Sequence, residues 1–340
     1  MSVNPICFLS TRGREMNIDL KLIKDYLEEN LSETEFHYFF KSNATKIPAA
    51  NRQIEKARLS LCKNFKNIIC MDSSIPIKIP SAAPGERRIL SVAPYDYIFN
   101  EYLNFVENPE KPPKKTFFRC THVIPGAPFI TNLLKEHYEF EQAEILSDIC
   151  SPFSWHLSQE PCRKQMRQDF YTMYPQAKGK KILSLLLVNQ GNKEKDDNEV
   201  FLDFPLKEFI EKMGEEWFFI TNSMDILNMS EILSFDYFSH IACMKNQFNI
   251  NNLLYVSDML ITNSSKHGIA FVPTKNPVYC LDYGDKYFSK YMKDFYPSLY
   301  FEKAADMMKI NFQKEILSED EQKFYREFSY DVKENPCEKI

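Results

Sequence analysis

Short uninterrupted apolar runs alternate along this chain with longer stretches in which apolar positions recur every three to four residues. The first pattern is that of a buried strand and the second that of an amphipathic helix. Residues 6–9 read as a first strand. In residues 19–29, Leu20, Ile23, Tyr26 and Leu27 share one helical face, and Lys21, Lys24, Asp25 and Glu28 the other. A strand at 36–40, a crossover helix at 53–63 and a third strand at 67–72 continue the alternation. Residues 80–115 are less regular, and the Pro/Lys-rich portion at 109–115 reads as a solvated loop. The β-branched and aromatic run at 116–122 predicts a strand that delivers His122 to its carboxyl end, with 123–128 as a turn. Residues 144–152 bury Ile145, Leu146 and Ile149, and residues 150–154 read as a second turn.

A charged helix at 161–174, carrying Arg163, Lys164, Arg167 and Asp169, opens the second half. The most apolar run follows at 181–188, then a polar loop at 189–198, a helix at 206–213 and a strand at 217–221. Met259, Leu260 and Ile261 form a strand too short to be a helix. The polar cluster Thr262-Asn263-Ser264-Ser265 turns the chain into a short helix to Val272, and a further strand occupies 277–281. Residues 306–328 read as helical, with Ser318-Glu319-Asp320-Glu321 starting the last helix. Strand, polar turn, helix, strand is one βαβ unit of a parallel sheet. The pattern as a whole predicts two doubly wound α/β domains of Rossmann type, 1–155 and 156–340.

The 340 residues are enough for two cores, and 44% apolar content is that of a globular chain. A net charge of −5 excludes a general nucleic-acid binder. The nine cysteines show no CxxC pair and no zinc-finger spacing, which predicts buried thiols in a reducing, cytoplasmic compartment. The amino-terminal stretch lacks a basic leader and reads as the first strand rather than a signal peptide. No window approaches twenty apolar residues, so any membrane contact is expected to be peripheral. No acidic pair stands where a metal is expected; Asp196-Asp197 reads as exposed loop.

Three places carry candidate chemistry. The run Thr262, Asn263, Ser264, Ser265, Lys266 and His267 follows a strand and opens a helix, where hydroxyls, a cation and unpaired N–H groups suit a phosphate or pyrophosphate. The competing reading is that Asn263 or Ser264 simply caps that helix. His122 suits a general base held at a strand end, or a hydrogen-bonded structural residue. Arg12-Gly13-Arg14 follows the first strand and suits either an anionic ligand or a solvated turn.

With these motifs placed, the chain resembles the CDP-glycerol glycerophosphotransferase family of bacterial teichoic-acid and capsule polymerases, a branch of the GT-B glycosyltransferases. The family's VSDVLITDYSS strand end is similar to Val256-Ser257-Asp258-Met259-Leu260-Ile261-Thr262-Asn263-Ser264-Ser265, with Cys280-Leu281-Asp282-Tyr283 after the next strand. Its AKYIIDNSxxP strand is similar to residues 65–76, its QTWHG to Arg119-Cys120-Thr121-His122-Val123, and its DYxxSPS to residues 147–153. The departures are Val123 for glycine, Asn263-Ser264 for Asp-Tyr, Lys266 for the second serine, and no His-Pro near Asn222 or Pro-Thr-Trp-Arg near residues 186–189. Lys266, His267 or His240 would then replace lost diphosphate contacts.

The resemblance implies a GT-B-like fold with an acceptor-side first domain and a donor-binding second domain facing a central cleft. It implies metal-independent, cofactor-free inverting transfer of a glycerophosphate or glycosyl group. The donor would be nucleotide-activated, CDP-glycerol or a nucleotide sugar, and the acceptor a surface polysaccharide or lipid-linked teichoic-acid-type chain at the inner face of the cell membrane. His122 would be the base, residues 262–267 the donor site, and Arg12, Gly13 and Arg14 the acceptor site. The alternative is a GT-B-fold scaffold of a surface-polysaccharide cluster that no longer turns over.

Overall fold

The structure is a computed structural model that describes residues 5–10, 16–40, 48–62, 64–70, 88–92, 106, 108, 120–137, 144–188, 204–222, 239–244, 249–283, 286–314, 316–330 and 334–340. The chain divides into two compact units, Met1–Trp155 with Tyr330–Ile340, and His156–Ser329.

Unit 1 contains β1 (Ile6–Leu9), α1 (Ile18–Asn30), β2 (Phe36–Phe39), α2 (Pro48–Cys62), β3 (Asn67–Cys70), β4 (Arg88–Val92), β5 (His122–Ile124), α3 (Pro128–His137), β6 (Glu144–Ile145) and most of α4 (Pro152–Ser158). Its six strands are parallel in the order β2-β1-β3-β4-β5-β6. The chain leaves β1 toward one edge and returns to β3 on the other side, so the topological switch point lies between β1 and β3. Local chemistry starts α1: Asn17 precedes it, and its side chain accepts from the Leu20 N–H at 2.9 Å. All four β1 residues are buried, as expected of a central strand covered on both faces.

Unit 2 contains α5 (Glu160–Met173), β7 (Lys181–Leu186), α6 (Leu206–Met213), β8 (Trp217–Thr221), β9 (Ile241–Cys243), α7 (Ile250–Val256), β10 (Met259–Thr262), α8 (Ser265–Phe271), β11 (Val278–Leu281), α9 (Lys286–Phe295), β12 (Tyr300–Phe301) and α10 (Glu319–Phe328). Its order is β12-β11-β10-β7-β8-β9, again parallel throughout. Here the switch point lies between β7 and β10. Gly214 ends α6 with φ +73°, a left-handed angle that a side chain would strain. Ser318 and Glu321 close a reciprocal capping box at the start of α10. Two doubly wound parallel sheets are thus the architecture, in agreement with the α/β expectation.

Several local expectations are corrected. The irregular stretch at 80–115 contains β4, a central strand. The stretch at 150–154 is no turn: Ser151 receives the Ser154 N–H on its hydroxyl at 3.0 Å and Pro152 begins α4, its missing N–H harmless in a first helical turn. Residues 306–328 are interrupted, with a 3-10 segment at Ala304–Lys309 separate from α10. The end of the chain also departs from a 156–340 domain, because Tyr330–Ile340 packs with unit 1. There Tyr330 hydrogen-bonds Thr131 through their hydroxyls, and Pro336 and Cys337 are buried on a 3-10 turn that packs on α1. All nine cysteines are free thiols. Among the described residues, no helix is long and apolar enough to cross a membrane, and no three His, Cys, Asp or Glu side chains are grouped to hold a metal ion.

Candidate functional site

β10 carries Met259, Leu260, Ile261 and Thr262 into the core and ends beside the last residues of β7, with which it is in register from Met259↔Leu183 to Thr262↔Leu186. Asn263, the next residue, is fully buried and uses its amide on neighbouring backbone. Its Oδ1 accepts from the Val188 N–H at 2.8 Å, and its Nδ2 donates to the Val188 carbonyl at 2.9 Å and to the Tyr283 carbonyl. On the other side of the same strand end, Asn222 treats Leu187 alike, its Oδ1 accepting from the N–H at 2.8 Å and its Nδ2 donating to the carbonyl at 2.7 Å. Two asparagines therefore extend the sheet by one peptide on each flank of the end of β7. Neither Asn222 nor the structural role of Asn263 is visible in the sequence, since pairing with residues 35 and 75 positions away leaves no local pattern.

Ser264 is the N-cap of α8. Its backbone N–H donates to the Thr262 Oγ1 at 3.1 Å, its carbonyl accepts from the Gly268 N–H at 2.9 Å, and its Oγ lies 2.9 Å from the His267 Nδ1. Burial, with the Lys266 ammonium adjacent, holds the His267 imidazole far below the usual range, at about 3, so the ring is neutral at physiological pH. Ser265 is buried, and Lys266 is half-buried in the first turn. The structure brings Thr262, Asn263, Ser264, Ser265, Lys266 and His267 together at the carboxyl edge next to the switch point, where a doubly wound sheet receives ligands. It also separates their roles. Both amide protons of Asn263 have protein acceptors, so its amide shapes the edge. Ser264 is the cap that the competing reading expected.

His122 is corrected in position. The buried residues of β5 are Val123 and Ile124, which pair with Ser91 and Val92, while His122 pairs with Leu90 at the amino end of the strand. Both apolar side chains are buried, which fixes them in the strand interior. Pro125-Gly126, with Gly126 at φ +83°, then occupies the strand-end position expected for His122-Val123, and α3 begins at Pro128. The half-buried imidazole has its Nδ1 2.7 Å from the Thr121 Oγ1 and its Nε2 3.5 Å from Glu144, the residue opposite it on β6. Arg12, Gly13 and Arg14 lie outside the described residues; Ser10, the last described residue before them, donates its N–H to the Phe39 carbonyl at 2.9 Å. His240, the substitute contact in unit 2, is instead on the amino side of β9, its Nε2 3.2 Å from Glu215 and its Nδ1 3.3 Å from Lys180.

No protein-family model matches the chain, and no curated protein does. Solved structures do. A variant of the wall teichoic acid polymerase TagF matches with a TM-score of 0.64 at 15% identity, over 99% of this chain and 86% of that one. The Staphylococcus aureus MnaA–UDP co-structure matches with 0.57 at 10% identity, over 99% and 94%. The Methanocaldococcus jannaschii UDP-GlcNAc 2-epimerase, in complex with UDP-GlcNAc and UDP, matches with 0.55 at 12% identity, over 98% and 96%. These likenesses establish a GT-B-type fold.

Proposed function

We propose that the chain binds a nucleotide-activated donor at the unit 2 switch point and transfers its glycerophosphate or glycosyl group to a polysaccharide or teichoic-acid-type hydroxyl. The observation that carries this reading is the strand order β12-β11-β10-β7-β8-β9, whose switch point adjoins Ser264, Ser265 and Lys266. The fold shared with a teichoic acid polymerase and with a protein solved with UDP supports a donor of that class. In the transfer, the acceptor oxygen bonds to phosphorus or to the anomeric carbon, its proton passes to a base, and the nucleotide leaves with the bonding electrons. Lys266 and the Ser265 hydroxyl would meet the charge on the leaving diphosphate. His122 is the base the sequence offers, and its Nε2 lies 3.5 Å from the exposed Glu144 carboxylate.

That placement of His122 favours a second reading, a donor-binding or scaffold protein without turnover. Thermal shift with CMP, CDP, UDP and GDP compounds, CDP-glycerol and UDP-sugars tests the shared premise, because a ligand of the folded state raises Tm by mass action. Nucleotide released in the presence of an acceptor, and lost in His122→Asn, supports the transferase. A Tm shift without release supports the scaffold. No shift with any nucleotide, or one unchanged by Lys266→Ala, removes both.

A further inference from the structure

His156 and Cys162 lie on either side of Gln159, the break between α4 and α5, and Tyr255 of α7 completes a cluster that includes none of the switch-point residues 262–267. The Cys162 Sγ is 3.3 Å from the His156 Nε2. The His156 Nδ1 is 2.6 Å from the Tyr255 hydroxyl, and the two rings meet edge to face with centroids 5.4 Å apart. Nucleophile, base, and a third group that fixes the base form the set of contacts by which a weak nucleophile is activated. Arg163 holds the two helices in this register, its Nε donating to the Tyr255 carbonyl at 3.2 Å and its guanidinium to the Ser257 carbonyl at 2.8 Å. Cys162 and His156 are half-buried and Tyr255 is buried, so the cluster reaches partly to solvent while the imidazole is anchored on a buried ring.

We propose that Cys162 is a modification site at which hydroperoxides are reduced, with His156 accepting the thiol proton as the sulfur attacks. The sulfur bonds to the terminal peroxide oxygen, the O–O bond breaks, and the departing alkoxide or hydroxide takes the proton from the imidazole. The thiol is oxidised by two electrons to a sulfenic acid, and the peroxide is reduced by two to an alcohol or water. Burial holds the imidazole below its usual range and the thiol above it, so both are neutral at rest. Reactivity then comes from proton transfer along a formed hydrogen bond rather than from a standing thiolate.

The folded full-length chain treated with hydrogen peroxide and trapped with dimedone, followed by peptide mass spectrometry, tests this independently of any nucleotide. Cys243, also half-buried, is the internal control. Cys162 is expected to accumulate adduct about tenfold faster than Cys243 or more, a gap smaller than a positioned base commonly supplies. His156→Gln should bring Cys162 down to the Cys243 rate, and Tyr255→Phe should slow it by less, with Cys243 unchanged in both. Equal rates at the two cysteines in the wild-type chain overturn the proposal without recourse to any variant. So does a His156→Gln chain in which Cys162 reacts as fast as before.

Discussion

Asn263 shows how much one buried side chain holds at the edge of unit 2. Its amide joins the ends of β7, β10 and the segment after β11, and Asn263→Ala leaves the Val188 N–H and carbonyl without those partners. The expected cost is about 2–4 kcal/mol, read from the urea midpoint. Asn263→Asp should cost more at neutral pH, because a carboxylate would face two carbonyl oxygens and keep only the Val188 N–H. An aspartate variant as stable as wild type would show that these contacts contribute little. His267 gives a second residue-scale expectation. Its folded value of about 3 lies below its ordinary 6.5, so the unfolded chain takes up the proton first. Stability is full above pH 6.5 and falls as pH drops from there toward 3, by up to about 1.4 kcal/mol per pH unit from this group. His267→Gln removes that slope. Between pH 7.5 and 5 its stability relative to wild type should therefore rise by about 2 kcal/mol, measured by urea unfolding at both pH values; parallel curves refute it. Both residues can be picked out of the sequence as candidates, yet their roles cannot, since desolvation and long-range pairing exist only once β7 and β10 lie side by side.

At the scale of elements, β10, α8 and β11 are readable from the sequence because an uninterrupted apolar run, a hydroxyl-rich turn and a second apolar run follow within about two dozen residues. β4 and β5 are not. β4 is set among residues whose pattern is irregular, and the apolar run that ends at His122 gives no sign that β5 starts at His122 and continues through Val123 and Ile124. Apolar content locates a strand, while its end is decided by which residues the neighbouring strand pairs. Within α8, Gly268 adopts ordinary helical geometry, and a Cβ there would meet the Phe288 Cζ at 3.4 Å and the Thr262 Cγ2 at 3.7 Å. Those are near-ordinary contacts, and alanine removes the backbone entropy that glycine loses in a helix. Gly268→Ala should therefore stabilise unit 2 by about 0.5 kcal/mol, up to about 1. Gly268→Val, with two further carbons against the Phe288 ring, should destabilise it. A higher urea midpoint for alanine and a lower one for valine is the pattern that supports close packing of α8 on α9.

For the whole molecule, the two sheets differ in winding as well as in sequence: the switch point follows the first strand of each unit, but unit 1 sends one strand to the short side and unit 2 sends two. Sequence alternation predicts that both units are α/β and says nothing of that order, because parallel neighbours are chosen by crossovers rather than by adjacent residues. The same limit hides the return of residues 330–340 to unit 1, since Pro336 and Cys337 are too short an apolar signal to assign to either core. Tyr330 bonds Thr131 of α3, and the turn at Pro336–Lys339 covers α1, so these eleven residues should stabilise unit 1 alone. Deleting 330–340 is expected to raise amide exchange in α1 and α3 while β10 and β11 keep their protection, because local stability follows the contacts each cooperative unit loses. Hydrogen exchange read by mass spectrometry distinguishes the outcomes: faster exchange in β10 would mean that the terminal segment supports unit 2 as well, and unchanged exchange in α1 would mean that its packing on unit 1 contributes no stability.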